Sequence, residues 1–168
     1  MKIFIVGLPG SGKTTLGKAF ARAKGIPFID LDHVIEQDQG RPIARIFGDE
    51  GEEYFRQLES STLQRVITSS ENFILSTGGG APCFHDNMVV MKSSGKVVFL
   101  DISPEIIVSR LSQEDISDRP LFASEKSDDL LLRLKSFQVS RTPFYLQADI
   151  VLSAEKATVS SLDEALKN

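Results

Sequence analysis

Apolar residues in this chain fall into short continuous blocks separated by segments of helical period. Ile3-Phe4-Ile5-Val6, the start of 28–32, 73–76, 96–102 and 148–152 are blocks of this kind, and each reads as a strand buried on both faces. Between them the period changes to that of a helix. Leu16, Ala19, Phe20 and Ala23 share one face of a predicted helix over 15–22, and Phe55, Leu58, Leu63, Val66 and Ile67 share one over 52–68. Shorter helices are expected over 33–39 with Asp32 near the N-cap, 43–47 after Pro42, 85–94, 105–111 after Pro104, 130 towards 145, and 159–166. Gly51 is expected to break the chain between two of them. Only 112–129 lacks a clear period, and a polar stretch of that length within one domain is expected to be a mobile lid, a binding loop or a disordered linker. Strands alternating with helices predict an α/β fold: a five-stranded parallel sheet with helices on both faces, one domain over 1–168.

Composition adds exclusions to this picture. The chain has 168 residues, with 19 basic against 23 acidic residues and a net charge of −4, so no basic excess suggests a nucleic-acid partner. No apolar run reaches the ~18 residues of a membrane span. The chain runs straight into a core strand, so no leader is expected, and the single Cys83 excludes an internal disulfide. Both fit a cytoplasmic protein, and with no long apolar stripe left over a monomer is expected. Cys83 reads as a packed thiol, His33 and His85 as surface or capping residues, and Tyr54, Phe55, Phe144 and Tyr145 as core.

The first strand runs into Gly7-Leu8-Pro9-Gly10-Ser11-Gly12-Lys13-Thr14, which fits G-x-x-x-x-G-K-[ST] between a strand and a helix. Glycines let the backbone wrap an anion with its N–H groups pointing inward, and the helix N-terminus adds partial positive charge. Lys13 is expected to reach the β- and γ-phosphates of ATP, and the Thr14 hydroxyl to ligate Mg²⁺. Gly10, Ser11, Gly12, Lys13, Thr14 and Thr15 make up the expected nucleotide-binding set. Pro9 removes one backbone donor from this loop and stiffens it.

The other candidates for chemistry also follow strands. Asp30 and Asp32, read as two positions on one strand face, divide the work: Asp30 holding water on the metal, Asp32 accepting a hydrogen bond, and possibly the proton, from an acceptor hydroxyl. Gly78-Gly79-Gly80 ends the third strand, where it suits close approach of a ligand or a tight turn. Arg56 and Arg141 are each able to grip a carboxylate or phosphate bidentately, and Arg119 in the 112–129 segment to close over the phosphates. Phosphate loop, acid pair and triple glycine should meet at the carboxyl rim of the sheet. These residues leave three readings open: a small-molecule kinase for a hydroxy-carboxylate, a gluconate or nucleotide kinase, and a non-catalytic ATP-binding module.

Together with Asp30-Leu31-Asp32, the blocks Gly51-Glu52-Glu53-Tyr54-Phe55-Arg56-Gln57-Leu58-Glu59, Ser76-Thr77-Gly78-Gly79-Gly80-Ala81, Arg119-Pro120-Leu121 and Arg141-Thr142-Pro143-Phe144-Tyr145 resemble the shikimate kinase family across essentially the whole chain. The resemblance implies a P-loop NTPase fold of the nucleoside-monophosphate-kinase-like class and Mg-ATP-dependent phosphorylation of the shikimate 3-hydroxyl, a step towards chorismate and the aromatic amino acids. It also implies that Asp32 binds the shikimate hydroxyls and acts as base. By the same resemblance Arg56 and Arg141 hold the carboxylate, the Gly79 and Gly80 backbone completes that pocket, Thr14 ligates the metal, Arg119 is the lid arginine and Arg110 lies near the adenine.

Overall fold

A computed structural model describes residues 1–113 and 127–167. Arg119 and most of the expected lid therefore lie outside the described residues. Five strands form one parallel sheet: β1 (Lys2–Val6), β2 (Phe28–Asp30), β3 (Phe73–Ser76), β4 (Lys96–Asp101) and β5 (Ile150–Ser153), in the order β2-β3-β1-β4-β5. β1 takes the centre because Ile3, Phe4, Ile5 and Val6 offer no polar side chain to either face, and all four are fully buried. At the edge the pattern relaxes, and Val151 of β5 is 47% exposed. β1 pairs with β3 on one side and β4 on the other, so the loop leaving it sits where the strand order reverses.

The helices are α1 (Lys13–Lys24), α2 (Leu31–Gln39), α3 (Ile43–Ser69), α4 (Asn87–Ser94), α5 (Pro104–Gln113), α6 (Ser127–Tyr145) and α7 (Val159–Ala165). The two helices expected on either side of Gly51 are one element, α3, with Gly51 breaking it at φ 86°, ψ 174°. α4 starts two residues later than expected, because His85 and Asp86 both have positive φ, and a 3₁₀ turn over Ala81–Cys83 precedes them. Residues 127–129, assigned above to the lid, form the first turn of α6, where Asp128 and Asp129 suit the helix N-terminus. Tyr145 and Phe55 are core as expected, whereas Tyr54 and Phe144 are partly exposed.

The largest correction concerns the acid pair. β2 ends at Asp30, and Asp30, not Asp32, caps α2, its side chain accepting from the His33 backbone N–H at 3.4 Å. Asp32 lies in the first turn of that helix. The two carboxylates do not share a strand face, because a side chain able to cap a helix ends the strand two residues early.

Two glycines expose how tightly the layers fit. A Cβ at Gly95, which links α4 to β4, would be driven into the Lys2 carbonyl of the central strand, a backbone group unable to move aside. Gly48, on the exposed side of α3, has nothing within 4 Å of such an atom. The same substitution should therefore have opposite signs. Gly95→Ala is expected to destabilise the fold by about 1–3 kcal/mol, and Gly48→Ala to stabilise it by roughly 0.5–1 kcal/mol, both read from urea-denaturation midpoints.

Candidate active site

The phosphate loop folds as its glycines require, with Gly7, Gly10 and Gly12 at φ 147°, 78° and 95°. Gly7 also packs against β4, where an added Cβ would lie 2.8 Å from the Leu100 carbonyl oxygen. Lys13 is buried, and its ammonium donates to the Gly7 and Leu8 carbonyls at 3.0 and 2.8 Å, holding the loop closed upon itself. Burial lowers its pKa to about 8, although Asp32 and Asp30 pull it upward. The Ser11 hydroxyl is buried and makes no hydrogen bond among the described residues, a spare donor in a loop built for an anion. Beside the loop a cavity of about 360 Å³ is lined by Gly10, Ser11, Gly12, Thr15 and Arg110, with Ala154, Ala157, Thr158 and Val159 on its far wall. Arg110 thus shares one space with Gly10, Ser11, Gly12 and Thr15 of the expected nucleotide-binding set, Lys13 and Thr14 lying off its lining, and the segment after β5 joins them.

Thr14 Oγ1 donates to Asp30 Oδ2 at 3.0 Å and lies 3.4 Å from the Ser76 hydroxyl. A hydroxyl, a carboxylate and a second hydroxyl form a hard-oxygen donor set of few protein ligands, which fits Mg²⁺ holding most of its waters. The cap of α2 is thus also the acid beside Thr14. One carboxylate serves both roles.

Across the loop, a second cavity of about 340 Å³ is lined by Pro9, Phe47, Arg56, Arg133, Phe137 and Arg141, of a size for a small metabolite. Two of its lining residues, Arg56 and Arg141, reach the turn Gly78-Gly79-Gly80. A Cβ at Gly78 would lie 2.9 Å from Asp32 Oδ1 and 3.1 Å from Glu59 Oε1, one at Gly79 2.9 Å from Arg141 Nη1, and one at Gly80 2.5 Å from Arg56 Nη2. Asp32, Arg56 and Arg141 come from three helices and meet on one stretch of bare backbone. Asp32 itself lines another space of about 480 Å³ with Glu36, Phe47 and Phe55, and Phe47 lines both cavities.

The two arginines are held differently. Arg56 is buried, with Nη1 donating to Glu59 Oε2 at 2.7 Å, a longer 3.3 Å contact to Glu52, and Phe84 4.3 Å from its guanidinium carbon. Arg141 stacks on Phe137 at 3.7 Å and is half-buried. Glu59 was not among the residues singled out above. It is fully buried, its Oε1 has no hydrogen-bond partner among the described residues, and burial raises its pKa against the pull of Arg56. The available signal was an acid three positions after Arg56 on the apolar face of α3.

The Asp32 pKa rises to about 7, chiefly through burial, then through the Glu59 and Asp30 carboxylates, with Lys13 opposing. An acid poised near neutrality beside a phosphate loop suits general-base work. Cys83 fits the packed-thiol reading: half-buried, its pKa raised by burial, it has no thiolate character to offer.

The shikimate kinase family model matches residues 9–167. A shikimate kinase of Bacteroides fragilis is 44% identical over 156 residues, covering 93% of this chain and 86% of that protein. The crystal structure of shikimate kinase from Bacteroides thetaiotaomicron superposes with a TM-score of 0.92 at 39% identity, covering 100% of this chain and 99% of the other. A shikimate kinase from Acinetobacter baumannii in complex with shikimate gives 0.82 at 32% identity, covering 99% and 89%. Match over nearly the whole chain, on a P-loop kinase fold, leads to one conclusion: the chain belongs to the shikimate kinase family, ATP-dependent kinases that phosphorylate shikimate.

Proposed function

We propose that this chain binds ATP in the cavity beside the phosphate loop and shikimate in the cavity lined by Arg56 and Arg141, whose side chains reach the Gly78–Gly80 turn, and phosphorylates the 3-hydroxyl. The observation that carries the reading is the convergence of Asp32, Arg56 and Arg141 on that glycine turn. Two guanidinium groups suit a carboxylate, and one acid suits a hydroxyl. A nucleotide base calls for stacking and base-edge hydrogen bonds instead of this combination, and a regulatory module has no use for it.

In this reading Asp32 accepts the hydrogen bond of the 3-hydroxyl and takes its proton as that oxygen bonds to the γ-phosphorus and ADP leaves. Lys13, already aimed through the loop, exchanges its two carbonyl partners for phosphate oxygens. Mg²⁺, held through Thr14 with Asp30 orienting its waters, supplies charge neutralisation on the phosphates when bound. Arg119 remains the proposed lid arginine. No described helix is long and apolar enough to cross a membrane, and the reading extends to a cytoplasmic monomer without a nucleic-acid partner.

Three measurements test the reading. An ADP-release assay with Mg-ATP and shikimate, quinate, gluconate or nucleoside monophosphates should give turnover with shikimate, and turnover with a nucleotide in its place would discard the pocket. The two arginines should separate. Arg56→Ala leaves Glu59 buried without its partner and is expected to cost the fold about 3–5 kcal/mol, seen as a lowered Tm. Arg141→Ala should leave Tm nearly unchanged and weaken acceptor binding by about 2 kcal/mol, close to thirtyfold in KM for shikimate. Identical profiles for the two variants would refute this division.

The pH dependence has a definite sign. Asp32 must be ionised to accept the proton, so kcat/KM for shikimate should fall as pH drops through about 7. Lys13 must be charged to hold phosphate, so kcat/KM for ATP should fall as pH rises through about 8. Removing the negative charge of Glu59 with Glu59→Gln should move the acidic limb to lower pH, since that carboxylate helps hold the Asp32 pKa up.

A further inference from the structure

Tyr145 closes α6, four residues after Arg141, and is fully buried. Its ring lies against Phe99 of β4, with centroids 5.0 Å apart and planes inclined by 34°, and its hydroxyl donates to the Gly79 carbonyl at 2.5 Å. The neighbouring carbonyls of the turn are also committed: Gly78 accepts from the Ala81 N–H at 3.2 Å and Gly80 from the Cys83 N–H at 2.9 Å. The amides of Gly79 and Gly80 donate to no backbone acceptor among the described residues. In a planar trans peptide the N–H points opposite the C=O, so a bond that fixes the Gly79 carbonyl fixes the direction of the Gly80 N–H. That amide lies beside the Arg56 guanidinium, and Arg141 reaches Gly79 from the same helix that carries Tyr145.

We infer that Tyr145 is a positioning residue of the acceptor site: its hydroxyl turns the Gly79–Gly80 peptide so that the Gly80 N–H meets the acceptor carboxylate between Arg56 and Arg141. The inference rests on the acceptor site proposed above. Packing alone does not call for a hydroxyl, since the ring would fill the space against Phe99, and the same hydroxyl also lies within hydrogen-bonding influence of the Arg141 side chain. Burial raises the pKa of the phenol, so it stays protonated and remains a donor throughout the working pH range. Without the hydroxyl the glycine turn keeps its space but loses the one contact that sets the rotation of this peptide, and glycine has no side chain to restrict it.

Tyr145→Phe keeps the ring and removes only the hydroxyl. It is expected to raise KM for shikimate about five- to tenfold, with kcat and KM for ATP within about twofold of the parent and Tm essentially retained. Arg141→Ala is measured beside it. If Tyr145→Phe leaves KM for shikimate unchanged while Arg141→Ala raises it, the positioning role is overturned and the acceptor site stands. If neither variant alters KM for shikimate, the acceptor site falls and the inference with it. A proportional loss of kcat and of both substrate affinities, tracking a lowered Tm, would mean that Tyr145 serves packing alone and would also overturn it.

Discussion

A side chain at any of three consecutive positions, Gly78, Gly79 and Gly80, would collide with a charged group: Asp32 and Glu59 at the first, Arg141 at the second, Arg56 at the third. The rest of the site depends on this bare backbone. Four ionisable side chains from α2, α3 and α6 approach one short turn closely, and only the absence of Cβ atoms gives them room. The turn is at the same time anchored, through the carbonyls of Gly78, Gly79 and Gly80 and through Thr77, whose N–H donates to Ile5 of the central strand at 3.2 Å. Flexible in principle, it is held in place by its neighbours.

Charge density at that turn sets the chemistry. Burying Arg56 without a partner would be prohibitive, and Glu59 meets the need from one helical turn away, at the cost of placing a second acid near Asp32. That second acid lifts the Asp32 pKa towards neutrality. The proposed clamp and the proposed base are therefore not independent, since Glu59, the group that holds Arg56 in place, also raises the Asp32 pKa. Lys13 completes the balance from the other side of Asp32, drawing its pKa down and having its own drawn up in return.

Much of this was legible in the sequence, for a physical reason. Buried parallel strands are continuous apolar blocks, and Ile3 to Val6 or Phe73 to Leu75 resemble nothing else. The phosphate loop announces itself because two glycines, a lysine and a hydroxyl residue are all needed at fixed spacing. Phe28-Ile29-Asp30-Leu31-Asp32 misled because its alternation is that of a strand, while the capping reach of Asp30 ends the strand two residues early. Glu59 was invisible for a different reason: an acid on the apolar face of a helix looks like an error until its buried arginine is known. Tyr145 read as core, which it is, but its hydrogen bond to a glycine sixty-six residues away is a property of the tertiary fold alone.

Pro9 joins the two halves of the site. It belongs to the phosphate loop, where it removes a backbone donor, yet it also lines the proposed acceptor cavity, and a Cβ at Gly79 would lie 2.9 Å from its Cδ. A residue in that place cannot serve the nucleotide loop without also shaping the proposed acceptor cavity. The phosphate loop and the glycine turn are thus in contact through Pro9, between the cavity proposed for the nucleotide and the one proposed for the acceptor. An in-line transfer needs donor and acceptor oxygens within bonding reach of a single phosphorus. A rigid ring between loop and turn meets that demand by packing, since it fixes the separation of the two sites before either substrate arrives.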